Sequence, residues 1–161
     1  MQRQNGYLVN KYVNRKDIKN HILTETEEQL GGGETGFGVY EIQPHIDEAA
    51  TFKFNTGGCT LEYRLPAAKK GREFTFIVGD TDAEVVIRTM DTDAELADST
   101  GEFITYVDED MKAIHCSAKG SLITLRCMQE AYTDEADVEQ PSIWACVNAI
   151  GTWAALLTYT T

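Results

Sequence analysis

The sequence predicts an all-β fold, a β-sandwich or jelly-roll-like domain of about eight to ten short strands. Two observations lead to this prediction. From residue 37 onward apolar side chains alternate with polar ones, and glycine-containing turns separate the alternating runs. The same region has almost no helical periodicity. The clearest runs are residues 52–54, 74–78, 85–88, 103–107, 123–127 and 153–159, with turns near 56–58, 70–72, 79–80, 119–121 and 150–152.

The alternation also predicts which side chains form the core. Phe52, Phe54, Phe74, Phe76 and Trp153 occupy one parity of their runs, so we expect them to face the interior. A chain of 161 residues suits one domain and is large enough to fold without a disulfide or a metal.

The region before the sandwich has a different composition. Five glycines in residues 31–38 order poorly and pack little, which is typical of a flexible joint. We therefore divide the chain into an extended N-terminal arm with its glycine-rich joint, residues 1–36, and a sandwich domain, residues 37–161.

Charge limits the partners of the chain. Its 14 basic and 26 acidic residues give a net charge of −12, and phosphate backbones repel such a protein, so we expect no nucleic-acid partner. No apolar run approaches the roughly 20 residues that span a bilayer, and no apolar leader is evident, so we expect no membrane partner. We accordingly expect the four cysteines to be reduced thiols.

The charge is unevenly distributed. Residues 1–20 carry five basic groups and one acidic group, whereas residues 21–161 have a net charge of −16. Apolar anchors on a basic, extended segment suit insertion into the groove or sheet edge of another protein. The alternative is that the arm folds back on its own sandwich. The predicted partner-binding residues are Arg3, Tyr7, Leu8, Val9, Lys11, Tyr12, Val13, Arg15, Lys16 and Ile18.

The sequence motifs that could bind a cofactor or a metal lack the neighbouring elements and residues that such binding needs. Residues 31–36 have the spacing of a dinucleotide fingerprint but lack the strand before it and the helix after it, and the lysine of a P-loop is missing. Four acidic residues between 91 and 102 match an EF-hand count, but Leu96 replaces the glycine of the sharp turn. We predict no cofactor and no metal; a looser calcium site in this loop is the alternative left open.

Catalytic motifs are also missing. His21, His45 and His115 accompany no nucleophile motif, and His115 and Cys116 are neighbours on a predicted strand, so they face opposite sides. We therefore predict that the chain is not an enzyme. Residues 91–102 and 129–142 are acidic without any lysine or arginine, and we expect them to be solvated, self-repelling loops turned away from docking surfaces.

Three short motifs lie within residues 65–153. They are Gly-Arg-Glu-Phe-Thr-Phe at 71–76, Gly-Ser-Leu-Ile-Thr-Leu at 120–125, and Trp144 followed by Gly-Thr-Trp at 151–153. Together they resemble a family of small β-rich virion proteins of tailed bacteriophages, found as head-decoration, head-fibre and tail-fibre domains. The resemblance implies a trimer that assembles on a capsid or tail scaffold and has no catalytic residues.

The leading hypothesis is a virion structural protein. As a capsid decoration (cement) protein it would be located in the virion after assembly in the host cytoplasm. Its arm would dock on the major capsid protein or other virion subunits and stabilise the head. The alternative is a head-fibre or tail-fibre adhesin whose loops at 91–102 and 129–142 bind a host surface glycan or receptor. An enzyme is a third hypothesis, kept only because sandwiches host many chemistries.

Overall fold

Fourteen strands and one single-turn helix make up the part of the chain that the computed structural model describes, residues 18–21, 36–90 and 101–157. In chain order the strands are β1 (Ile18–His21), β2 (Gly36–Glu41), β3 (Thr51–Phe54), β4 (Cys59–Arg64), β5 (Glu73–Val78), β6 (Glu84–Arg88), β7 (Phe103–Tyr106), β8 (Glu109–Met111), β9 (Ala113–Cys116), β10 (Leu122–Gln129), β11 (Tyr132–Thr133), β12 (Glu139–Gln140), β13 (Ile143–Ile150) and β14 (Ala154–Ala155). Helix α1 (Pro44–Asp47) lies between β2 and β3.

The strands form two principal sheets. One has seven strands in the order β1-β3-β5-β10-β13-β7-β8, and the other has five in the order β14-β9-β6-β4-β2. Strands β11 and β12 form a separate hairpin. The all-β, sandwich-like prediction is confirmed, and ten of the described strands have four or more residues. The four shorter strands carry too few residues to show an alternating pattern in the sequence.

The first six strands alternate between the two sheets. Strands β1, β3 and β5 are parallel neighbours in the seven-stranded sheet, and β2, β4 and β6 are parallel neighbours in the other. Thr51 pairs with Thr75 and Thr60 pairs with Glu84, so the circuits from β3 to β5 and from β4 to β6 each take 24 residues. The chain therefore winds as a flattened coil in this half, whereas β9, β10 and β14 pair antiparallel to their neighbours.

An aromatic cluster joins the two sheets. The rings of Phe52 and Phe76, on adjacent strands of the seven-stranded sheet, stack with centroids 5.4 Å apart. Both lie 5.1 Å from the ring of Tyr63, which comes from the five-stranded sheet. All five side chains predicted to face the core are buried, with at most 3% of their surface exposed. Their burial follows from the alternation, because successive side chains of a strand point to opposite faces.

Helix α1 lies in the connection between β2 of the five-stranded sheet and β3 of the seven-stranded sheet. The Asp47 carboxylate accepts hydrogen bonds from the Gln43 backbone N–H (3.0 Å) and from the Tyr40 hydroxyl (2.9 Å). Burial and then this hydrogen bond to Asp47 raise the pKa of Tyr40 to about 12. Helices long and apolar enough to cross a membrane are not found among the described residues.

The motif strands of the sequence are neighbours in space. Strand β10 lies between β5 and β13, so the segments 71–76, 120–125 and the region of Trp144 share one sheet. The Trp153 indole N–H donates to the Leu122 carbonyl at 3.2 Å, which ties the last turn to the same strand.

Candidate functional site

One segment of the predicted arm, Ile18–His21, is described by the structure. The backbone of Ile18–His21 pairs in parallel with Thr51–Phe54, which makes this segment the first strand of the seven-stranded sheet. The backbone of Ile18, which was predicted as a partner-binding residue of the arm, pairs with Thr51 at the edge of β3, and its role in binding a partner stays a prediction. The other nine predicted partner-binding residues lie outside the described residues, and their role stays a prediction.

A first cleft, the acidic cleft, lies at the end of the seven-stranded sheet where β7 and β13 begin and β10 ends. Its volume is about 910 Å³, and its lining residues are 67–68, 90, 101–103, 130–133 and 139–142. The charged residues among these are all acidic: Glu102, Glu130 and Glu139. Met90 and Tyr132 add apolar surface, and each is more than half exposed.

A hairpin formed by β11 and β12 makes one wall of this cleft. Asp134 begins its turn, and one carboxylate oxygen accepts hydrogen bonds from the N–H groups of Ala136 (2.9 Å) and Val138 (3.0 Å). The other oxygen accepts from the Gln140 side-chain amide at 2.8 Å. The backbone bonds from Val138 and Ala136 lower the pKa of Asp134. Residues 129–142 therefore contain an ordered hairpin beside a cleft. Most of these residues are exposed, as the sequence predicts, and hydrogen bonds within the turn hold it in place although its side chains carry like charges.

Glu102 lies at the base of the acidic cleft. One carboxylate oxygen accepts a hydrogen bond from the Met90 backbone N–H at 3.0 Å, and the other from the Trp144 indole N–H at 3.4 Å. Burial raises the pKa of Glu102, although these hydrogen bonds and the charge of Lys112 oppose the rise. Lys112 is fully buried, and its ammonium lies 4.6 Å from the centroid of the Phe103 ring.

A second cleft, the basic cleft, adjoins the first. Its volume is about 950 Å³, and its lining includes His45, Lys69, Lys70 and Arg72, with Glu48 and Glu73 as the acidic members. Glu73 already binds Arg126 at 2.6 Å. The charge of this cleft is therefore opposite to that of the acidic cleft.

Loop 67–72 separates the two clefts and is held by hydrogen bonds. The Arg72 N–H donates to the Lys69 carbonyl at 3.0 Å, and Gly71 has φ +89°, which is the geometry of a type II turn with glycine at its third position. The Gly71 N–H donates to the Cys127 carbonyl at 2.9 Å, and the Arg72 guanidinium donates to the Ala67 carbonyl at 2.6 Å. Lys69 and Lys70 therefore project from a fixed turn.

The outer face of the five-stranded sheet carries a separate polar network. His115 Nδ1 lies 2.8 Å from a Glu84 carboxylate oxygen, and the Thr60 hydroxyl donates to the other oxygen at 2.9 Å. Cys116 points to the core and is 5% exposed, as the sequence predicts for the neighbour of His115. Clusters of three or more metal-ligating side chains are not found in the described part of the chain.

The sequence analysis did not single out Lys69 and Lys70, and it treated Glu102 only as part of an acidic loop. A signal for the lysines does exist, since residues 69–72 are the only place after residue 20 where three basic residues fall within four positions. No signal places Glu102 beside the hairpin, because the two are brought together only by the fold.

Comparisons with known proteins give no family for this chain. No protein-family model matches it, and a search of the curated proteins finds no match. Its function is therefore inferred from the residues and their arrangement.

Proposed function

We propose that this protein is a virion structural protein, a decoration protein that docks on a phage capsid shell through the basic segment preceding β1. The observation that supports this most is the pairing of Ile18–His21 with Thr51–Phe54. Pairing of β1 with β3 fixes one end of the basic segment to a body that is otherwise strongly acidic. A basic, aromatic-containing segment anchored at a sheet edge suits attachment to a neighbouring subunit.

The two kinds of residue in the segment have different roles. Tyr7, Leu8, Tyr12 and Val13 are the anchors, and each buried aromatic anchor contributes about 2 kcal/mol or more to binding. The lysines and arginines accelerate encounter with an acidic shell surface and make binding sensitive to salt. Trimerisation, which the sequence resemblance implies, would multiply weak contacts through avidity.

Co-assembly with shells tests this proposal. The major capsid protein of the same genome is expressed with the full chain, and sedimented shells are assayed for bound protein. We expect K11E/R15E to lower occupancy at least tenfold, while the control variant K119E, which reverses an exposed charge in the turn between β9 and β10, leaves it unchanged. Wild-type protein that fails to sediment with shells, or equal occupancy for both variants, contradicts the proposal.

The acidic cleft favours a second candidate, a fibre adhesin that binds a host glycan. An aromatic side chain at 132 and an amide at 140 border a cavity of about 910 Å³, in the region where the sequence places an adhesive loop. A glycan array probed with wild type and with Y132A tests this candidate. Glycan binding that Y132A abolishes, combined with absence from shells, would favour the adhesin.

A further inference from the structure

The two clefts leave opposite charges side by side on one end of the molecule. Ala67 and Ala68 line the acidic cleft, and Lys69 and Lys70 line the basic cleft directly after them in the chain. Both lysines are exposed, as are Glu130 and Glu139 across the loop. Within the described part of the chain none of these four residues forms an ion pair.

We propose that this end is a self-complementary interface, in which Lys69 and Lys70 of one copy face Glu130 and Glu139 of a second copy. In a contact with twofold symmetry the same patch occurs on both partners, so a patch that carries both charges complements itself. Each contact then places loop 67–72 of one copy against the acidic cleft of the other, and the reverse arrangement follows from the symmetry.

Charge complementarity identifies the occupant. A cationic ligand would satisfy only the acidic cleft, and an anionic ligand would satisfy only the basic one. A second copy of the chain carries both charges on the same patch and therefore satisfies both clefts at once. The apolar surface of Met90 and Tyr132, each more than half exposed, supplies the kind of side chain that protein interfaces favour.

Both surfaces are ordered before they meet. The turn at 69–72 is fixed by the backbone bonds of Gly71 and Arg72, and the hairpin is fixed by the three hydrogen bonds to Asp134. Because the backbone of these segments is already held by hydrogen bonds, association costs mainly the rotamer freedom of the lysine and glutamate side chains. The interface uses no residue of the N-terminal segment, so it does not depend on the proposed attachment to a shell.

The test is the molar mass of the full chain, measured by sedimentation equilibrium from about 1 to 100 µM, a range that resolves dissociation constants in the micromolar region. We expect E130K/E139K and K69E/K70E each to weaken association across this twofold contact at least tenfold, which lowers the mass towards half of its value where wild type is associated. The matched variant E109K/D110K, on exposed residues of β8, should associate like wild type. Circular dichroism checks that every variant is folded.

A mixture provides the decisive result. In an equimolar mixture of E130K/E139K and K69E/K70E, every reversed charge meets a reversed partner, so the mixture should recover the wild-type mass while each variant alone does not. Wild-type protein that stays unassociated, or a mixture that fails to recover, overturns the proposal. Halving of the mass by K11E/R15E would assign the acidic cleft to the N-terminal segment, and glycan-array binding lost in E130K/E139K would assign it to a carbohydrate; either result overturns the proposal as well.

Discussion

Phe52 is the residue through which the packing of the two sheets is tested best. Its side chain is fully buried, and its ring contacts those of Tyr40, Tyr63, Phe74 and Phe76 at centroid distances of 5.1–6.2 Å. Two of these four rings belong to the five-stranded sheet and two to the seven-stranded sheet. Shortening this one side chain therefore weakens the contact between the sheets.

The expected cost of F52L follows from these contacts. Leucine is smaller by about three carbon atoms, and each buried CH₂ contributes about 0.8 kcal/mol. Ring pairs add about 0.5–1.5 kcal/mol beyond their buried area. Because leucine refills part of the space, we expect a loss of about 2–3 kcal/mol, below the roughly 3–5 kcal/mol of a phenylalanine-to-alanine change in a core.

Urea unfolding followed by the fluorescence of Trp144 and Trp153 measures this loss. The control is F37L, since Phe37 lies on β2 with 38% of its surface exposed, and the loss there should be clearly smaller than for F52L, about 1 kcal/mol or less. Equal losses for F52L and F37L would refute the argument, because a ring that joins two sheets cannot cost the same as one on the surface.

Three further predictions concern the two clefts. In Gly71→Ala the added Cβ meets no neighbouring atom within 4 Å, so only the strain of an alanine at φ +89° opposes the substitution. Unfolding in urea should show a loss of about 1–2 kcal/mol. An unchanged unfolding midpoint would contradict the assigned turn geometry. Burial raises the pKa of Glu102 above its ordinary value, so the folded state binds the proton of Glu102 more tightly than the unfolded state does. Stability measured relative to E102Q should therefore fall as pH rises above about 4.5 and level off above the folded pKa. A flat or rising difference contradicts this. Asp134→Ala should speed hydrogen exchange at the N–H groups of Ala136 and Val138 while core amides keep their rates, and unchanged exchange at both would show that the carboxylate does not order the turn.

The alternation of apolar and polar side chains predicts which face of a sheet a residue occupies, but it does not predict which strands pair. The buried aromatic positions followed directly from the period of two, since Phe74, Phe76 and Trp153 could face only one way within their runs. The parallel pairing of the first six strands did not follow from the alternation. Leu61 and Tyr63 face the core whether β4 pairs with a parallel or an antiparallel neighbour, so the pattern is the same in both cases.

The parts missed by the sequence analysis depend on contacts across the chain. Strand β1 escaped prediction because Ile18–His21 alternates too briefly to be recognised and is defined by its pairing with β3. The acidic hairpin was not predicted because the composition of residues 129–142 suggested repulsion between carboxylates. In the structure the carboxylate of Asp134 accepts three hydrogen bonds within its own turn. The basic cleft combines residues 44–49 with 69–74, and the acidic cleft combines residues 67–68 with 139–142, which no local pattern brings together.

The 24-residue circuits from β3 to β5 and from β4 to β6 allow the two sheets to be lengthened without changing their core. A duplicated circuit, such as a second copy of residues 51–74, would add one strand to each sheet and lengthen the molecule by about 4.8 Å. Every later side chain would keep its orientation, whereas inserting a single residue within a strand would turn the apolar set towards water. Insertion of a whole circuit would therefore lengthen the two sheets while the hydrophobic core stays continuous.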